Sequence, residues 1–352
     1  MQIMTFIPDD APMADATPLT FTATGSEYFR IWIVNLFLSI LTLGIYSAWA
    51  KVRTLRYLYR NTQLDGHGFD YHGNPLSILK GRIIVFALVV VTQVLEGILP
   101  LLSLVLSALF VAVLPWLVMR SLSFRMAYTS HRGLRFGFDG RLAGAYRTLL
   151  LWPVLALVSC GLLAPIAYQR FKQYQHEHSR YGSTPFHIRL RTGSVYGLMF
   201  AVIGMLIVTG VIVATLTSIL LDGGNLEMPA VSSLLMIALP AYAGIFAINA
   251  FMVASLQNLV WSGTTLGDDA LRFRSDVRTL PLLAILVTNL LGMIVTLGLF
   301  YPFARIRLLR YRLQHVSVAA SVPLDSFAAG QTQDVSALGD AMTDWYDIDI
   351  SL

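Results

Sequence analysis

Apolar and polar positions alternate in long blocks along this chain, and the blocks dictate the elements. Ile83 to Met119 is apolar for 37 residues, interrupted only by Gln93, Glu96, Gly97 and Pro100 near its middle. One helix of that length would span roughly 55 Å at about 1.5 Å per residue, against a hydrocarbon core of about 30 Å. The run therefore predicts two crossings with a tight turn near "EGILP". Val195 to Ala254 repeats the design, with two apolar stretches flanking the turn-rich acidic connector "LDGGNLEMP". These are four transmembrane helices in two hairpins, 83–119 and 195–254.

Three shorter apolar blocks, Ile31–Ala50, Leu149–Tyr168 and about Leu280–Ala304, are each long enough to cross once. Charge argues against it. If all three crossed, Arg170, Lys172, Arg180, Arg189, Arg191, Arg272, Arg274 and Arg278 would face away from Lys51, Arg53, Arg56 and Arg60. That would put eight of the 25 basic residues on the wrong side. If the blocks dip in and return, every Lys and Arg is cytoplasmic, and the outer turns carry only Glu96, Asp222 and Glu227. Re-entry is the expectation, spanning the alternative. Broken backbone at membrane depth needs shelter, which the four crossing helices are expected to supply.

The three blocks share a pattern, G-x5-A-x2-R-x3-Y. Gly44, Gly161 and Gly298 are followed by Ala50, Ala167 and Ala304, then Arg53, Arg170 and Arg307, then Tyr57, Tyr174 and Tyr311. Each copy has an upstream L-x-F step: Leu19-Phe21, Leu134-Phe136 and Leu271-Phe273. Such spacing implies an internal repeat. Glycine permits a left-handed turn, and Pro165 and Pro302 disfavour a straight helix just beyond it. Arg and Tyr four apart share a helix face. Arg can bind phosphate, and Tyr anchors at an interface. The three Arg-Tyr pairs are thus interfacial anchors and candidates for a site that takes an anionic lipid or ligand.

The polar segments between blocks read as strands. "PFHIRLRTG" from Pro185 alternates with a period of two, and "LSFRMAY", a turn at "SHRG" and "LRFGF" read as a hairpin. "NLVWSGTTLGDDALRFR" reads the same way around Gly267-Asp268. A small cytoplasmic β layer against the membrane face follows. The expected fold is a polytopic α-helical membrane protein with three internal repeats, four crossings, three re-entrant or spanning segments and this layer. Residues 1–18 read as a flexible acidic N-terminal tail without a secretory signal. A single membrane domain covers 19–320, with repeat cores at 19–60, 134–178 and 271–315. Residues 321–352, rich in Asp and free of Lys and Arg, read as a disordered tail.

Composition agrees: 56% of the 352 residues are hydrophobic and 13% charged, about half the usual charged share of a soluble domain. One cysteine, Cys160, excludes an internal disulfide and a cysteine metal site. The histidines His67, His72, His176 and His178 match no ligand spacing, so no metal and no cofactor are expected. No P-loop, G-x-S-x-G or H-E-x-x-H is present. The basic excess follows the bilayer, which points to anionic lipid headgroups on the cytoplasmic face and away from nucleic acid. A homo-oligomer or a protein partner stays open.

The segment "YFRIWIVNLFLSILTLGIYSAWAKVRTLRYLYRNTQLDGHGFDYHGNPLSILKGR" resembles the opening of the YjgN-like proteins, bacterial inner-membrane proteins grouped as a domain of unknown function. The likeness is strong over Phe21 to Arg82 and extends by layout to about Val318. It implies a multi-pass inner-membrane protein and no catalytic residues. Two function classes remain: a transport-related or lipid-interacting scaffold, and a membrane enzyme acting on a lipid or envelope precursor through Asp65, His67, Asp70 and His72.

Overall fold

The computed structural model describes residues 16–222, 230–267 and 269–321. The tails, apart from their inner ends, and the Asp222–Glu227 turn expected outside the membrane lie beyond the described side chains. The chain builds five helix pairs, each leaving and rejoining one β-sheet. Strands β1 (Thr17–Pro18) and β2 (Thr20–Phe21) lead into α1 (Gly25–Leu41) and α2 (Ser47–Arg60), then β3 (Thr62–Leu64) and β4 (His67–Tyr71). The second pair is α3 (Pro75–Ile98) and α4 (Pro100–Ala127), followed by β5 (Thr129–His131) and β6 (Leu134–Phe138). In the third, α5 (Leu142–Tyr146), a π-helical turn (Arg147–Leu151) and α6 (Trp152–Val158) form one arm. Its return arm is α7 (Ala164–Glu177), ending in β7 (Ser179–Tyr181) and β8 (Thr184–Ile188). The fourth is α8 (Thr192–Asp222) and α9 (Ala230–Ser262), with β9 (Thr264–Leu266) and β10 (Leu271–Ser275). The fifth is α10 (Thr279–Val295) and α11 (Tyr301–Gln314), ending in β11 (Val316–Ala320).

Four of these helices, α3, α4, α8 and α9, are long and apolar enough to cross a membrane. The break between α3 and α4 falls at Leu99-Pro100, because proline lacks the N–H to continue a helix but suits its first turn. The other three blocks are each interrupted at the motif glycine. None is a single straight helix.

The β layer is larger than its sequence suggests. Eleven strands form one sheet whose spatial order follows the chain, each antiparallel to its neighbours. Its two end strands, β1 and β2, are separated only by Leu19, whose N–H donates to the Val316 carbonyl at 2.9 Å, so the sheet nearly closes into a barrel. Leu19, Leu64, Leu134, Tyr181, Leu266, Leu271, Val316 and Val318 pack together as its core. Phe69, Phe136, Phe186 and Phe273, on alternate strands, follow one another at 6.2–6.3 Å between ring centroids. Two L-x-F steps are explained: Leu134-Phe136 and Leu271-Phe273 are two apart in a strand and face the same side, here inward, whereas Leu19 joins this core and Phe21 packs with Ala23, Tyr28, Leu58 and Ile306. Two strand readings need correction. "LSFRMAY" is the end of α4, and "NLVWS" the end of α9. In so short a run the period of two does not exclude a helix, and the hydrogen-bond ladder of the long apolar helix simply runs on.

The five junctions between sheet and helices repeat one hydrogen bond. The residue leaving each inner strand donates its N–H to the carbonyl that caps the next returning helix. The pairs are Thr22 to Asn61 at 3.0 Å, His72 to Tyr128 at 2.8 Å, Asp139 to His178 at 3.0 Å, Arg189 to Gly263 at 2.8 Å and Asp276 to His315 at 3.1 Å. The long and short helix pairs therefore stand on the sheet in the same way.

Candidate functional site

The three motif copies build the same tip. Leu43, Cys160 and Leu297 are left-handed, with φ of 49–51°, and the glycines that follow have φ of 88–90°. Each glycine N–H bonds five residues back at 2.7 Å: Gly44 to Ser39, Gly161 to Ala156, Gly298 to Met293. The preceding N–H bonds three residues back at 3.0–3.2 Å. This double bond closes a helix by satisfying its last carbonyls. A residue that the G-x5-A-x2-R-x3-Y pattern omits completes the turn. The hydroxyls of Thr42, Ser159 and Thr296 each donate back to a helix carbonyl and accept the N–H of Tyr46, Leu163 and Phe300 at 2.9–3.0 Å. The visible signal was a Ser or Thr two positions before each glycine. The turns are therefore satisfied from within rather than sheltered. Leu43 and Leu297 at the tips are 95% and 94% exposed, correcting the expectation that the long helices cover them.

The motif tyrosines tie each return arm to the start of its own outgoing arm. Tyr57 Oη accepts the Thr24 N–H at 3.1 Å, and Tyr311 Oη accepts the Arg278 N–H and donates to the Arg278 carbonyl, both at 3.0 Å. Tyr174 Oη donates to the Arg141 carbonyl at 3.1 Å. Thr24, Arg141 and Arg278 are the capping residues of α1, α5 and α10, so each hydroxyl locks a helix start. Tyr57 also reaches Glu27 Oε2 at 2.9 Å and stacks on Tyr28.

The motif arginines, all exposed, differ among themselves. Arg307 donates to Asn289 Oδ1 at 3.0 Å and to Thr288 Oγ1 at 3.2 Å. Arg170 lies over the Trp152 ring at 5.8 Å and reaches Gln173. Trp152 and Asn289 stand at corresponding places in their arms, as does Asn35 in the first. Asn35 is 5% exposed, and its Oδ1 has no donor, while Arg53 makes no hydrogen bond or ion pair with any described residue. The first copy thus leaves both groups open.

The polar groups of the first sheet hairpin are held in pairs. Arg132 bridges Asp65 at 2.7 Å and Arg60 bridges Asp70 at 3.0 Å, which holds the Asp70 carboxyl below its ordinary pKa. His67 Nδ1 bonds the Asp65 carbonyl, and His72 Nε2 bonds Ser130 Oγ, both at 2.8 Å. His176 and His178 each bond a carbonyl one helical turn back. Among the described residues no cluster of His, Cys, Asp or Glu could hold a metal. His131 is a residue that sequence reasoning passed over. It lies 6% exposed in the barrel, against Phe69 and Tyr181. Its Nε2 meets the His67 carbonyl at 3.2 Å, and the Tyr181 hydroxyl donates to its own carbonyl at 2.9 Å. Burial, aided by the nearby Arg132 charge, pushes its pKa down to about 4, and burial pushes the Tyr181 phenol up to about 12. Both are neutral at pH 7.

Comparison with known proteins gives a family and curated relatives. The family model described as "Bacterial protein of unknown function (DUF898)" matches residues 16–345. The Inner membrane protein YjgN of Salmonella typhimurium is 26% identical over 346 residues, covering 85% of this chain and 88% of that protein. The YjgN protein of Escherichia coli K12 is 24% identical over 346 residues, covering 84% and 86%. No solved structure matches. The chain belongs to the DUF898 family of bacterial proteins of unknown function.

Proposed function

We propose that this protein is a multi-pass inner-membrane scaffold that engages anionic lipids, built on three re-entrant repeats and two crossing hairpins around one cytoplasmic sheet. The observation that carries this reading is connectivity: every helix pair begins and ends on the same sheet. The arms of the first and fifth pairs have 17 and 14 residues, roughly 25 and 21 Å at about 1.5 Å per residue, short of a core of about 30 Å. Their tips are exposed and apolar, suited to lipid. A segment that starts and ends on one sheet and stops short of the far side returns to the side it left. The basic loops favour the cytoplasm for that side, and the relatives' printed names favour the inner membrane.

Arg53 lies nine residues past the first tip, roughly 14 Å along the helix, at a depth suited to headgroups. Arg170 and Arg307 occupy the matching places. They bind lipid phosphate, while Tyr57, Tyr174 and Tyr311 hold the arms that present them. Topology is tested with cysteines placed at Arg30 and Arg60, the two feet of the first pair. Both should react with an impermeant maleimide only from the cytoplasmic side; labelling from opposite sides would overturn re-entry. Lipid engagement is tested by native mass spectrometry of Arg53→Gln/Arg170→Gln/Arg307→Gln. Retained phosphatidylglycerol should fall several-fold, and unchanged retention would remove the arginines from the reading.

A further inference from the structure

A second group of cations lies off the repeat motif, where α2 packs against α3. Arg82 sits in the third turn of a helix long enough to cross the membrane, and is exposed. Its Nη1 donates to Ser47 Oγ, in the first turn of α2 beside the tip. An arginine near a bilayer boundary ordinarily reaches back to water along its own helix. Arg82 instead reaches the neighbouring tip, away from the sheet. Lys51, one turn beyond Ser47 and exposed, lies within electrostatic reach of Arg82 and Arg125. Arg125 is in the last turn of α4, near the sheet. The three cations thus line one seam from the sheet towards the tip.

None of the three forms an ion pair with a described carboxylate, and the Lys51 and Arg125 side chains make no hydrogen bond with a described residue. Three like charges gathered at a membrane face repel one another, a cost that an anion between them would reverse. Beside them α3 presents Ile83, Phe86 and Val90 as exposed apolar surface. Charge and apolar surface together are what an anionic phospholipid complements: a phosphate for the cations and chains for the helix.

We propose that Ser47, Lys51, Arg82 and Arg125 form a cradle for the phosphate of an anionic phospholipid whose chains lie on α3. This rests on the lipid-engaging reading above and narrows it to the seam between the first two helix pairs.

The test uses the purified full chain in nanodiscs, with phosphatidylglycerol or phosphatidylcholine as the probe and retained lipid counted by native mass spectrometry. In Lys51→Gln/Arg82→Gln/Arg125→Gln, retained phosphatidylglycerol should fall at least fivefold with phosphatidylcholine unchanged. Arg180→Gln/Arg272→Gln/Arg274→Gln, on the sheet, should retain wild-type levels. Lys51→Gln alone breaks no bond within the protein and should give a smaller loss of the same sign, which keeps the test open if the triple variant folds poorly. Unchanged retention, or equal loss of both lipids, would overturn the cradle. Displacement of phosphatidylglycerol by millimolar inorganic phosphate would assign the site to a free anion and overturn the lipid assignment. If only the Arg53, Arg170 and Arg307 variant lost lipid, the broader reading would stand and the cradle would fall.

Discussion

The Tyr311 hydroxyl holds both backbone groups of Arg278, taking its N–H and donating to its carbonyl at 3.0 Å each, across 33 residues of chain. Tyr57 likewise takes the Thr24 N–H but gives its proton to Glu27 Oε2 at 2.9 Å, and Tyr174 makes only the bond to the Arg141 carbonyl. A hydrogen bond of this kind contributes about 1 kcal/mol net, and more where loss leaves a partner unsatisfied. Tyr311→Phe and Tyr57→Phe should each cost about 2 kcal/mol of thermal stability in detergent, and Tyr174→Phe about 1. Equal, negligible losses at all three would show that the hydroxyls do not lock the helix starts.

The tip glycines make a sharper case. Gly44, Gly161 and Gly298 have φ near +90° and nothing within 4 Å of an added Cβ, so a side chain there meets backbone strain and not a clash. Alanine at any of them should cost about 1–2 kcal/mol. Gly97, helical with the same open surroundings, is the control. Alanine there should be neutral or stabilising, because glycine is the poorer helix former. Scanning calorimetry of the four variants decides it.

Arg53 and Arg307 share a motif position and differ in partners. Arg307→Ala removes two hydrogen bonds from a charged donor at a partly open surface and should lower stability by about 1–2 kcal/mol. Arg53→Ala removes none within the protein and should stay within about 0.5 kcal/mol. Chemical denaturation in detergent reads both, and a reversed order would contradict the bonding.

His131 predicts a pH dependence. Its pKa of about 4 in the fold is below the 6.5 expected unfolded, so the unfolded chain binds the proton more readily. Stability is full above about pH 6.5 and falls as pH drops towards 4, by up to about 3 kcal/mol. His131→Phe should flatten that window in melts between pH 7 and pH 4.5. A wild-type slope that persists in the variant would assign the dependence elsewhere.

The single cysteine is a built-in depth probe. Cys160 is exposed at the tip of the third helix pair, beside Gly161. In a re-entrant arm it lies within lipid, so an impermeant maleimide should fail from either side of sealed vesicles, and labelling should follow unfolding. Prompt reaction from the periplasmic side would make that arm span.

The apolar blocks were legible because lipid is a uniform solvent: length and composition alone mark α3, α4, α8 and α9 as helices able to cross. The tip glycines were legible because backbone geometry admits few residues at φ near +90°. Repeat spacing exposed Tyr57, Tyr174 and Tyr311 but not their work, since their backbone partners lie 33 residues away and carry no side-chain signature. Thr42, Ser159 and Thr296 were within view and passed over, being ordinary polar residues until the turn closes on them. The near-barrel was beyond reach. Strands of two to five residues are too short to show a period, and closure depends on β11 meeting β1 across the whole chain. Arg53 and Arg307 look alike in sequence; only the packing of each arm decides which one finds Asn289 and which is left open.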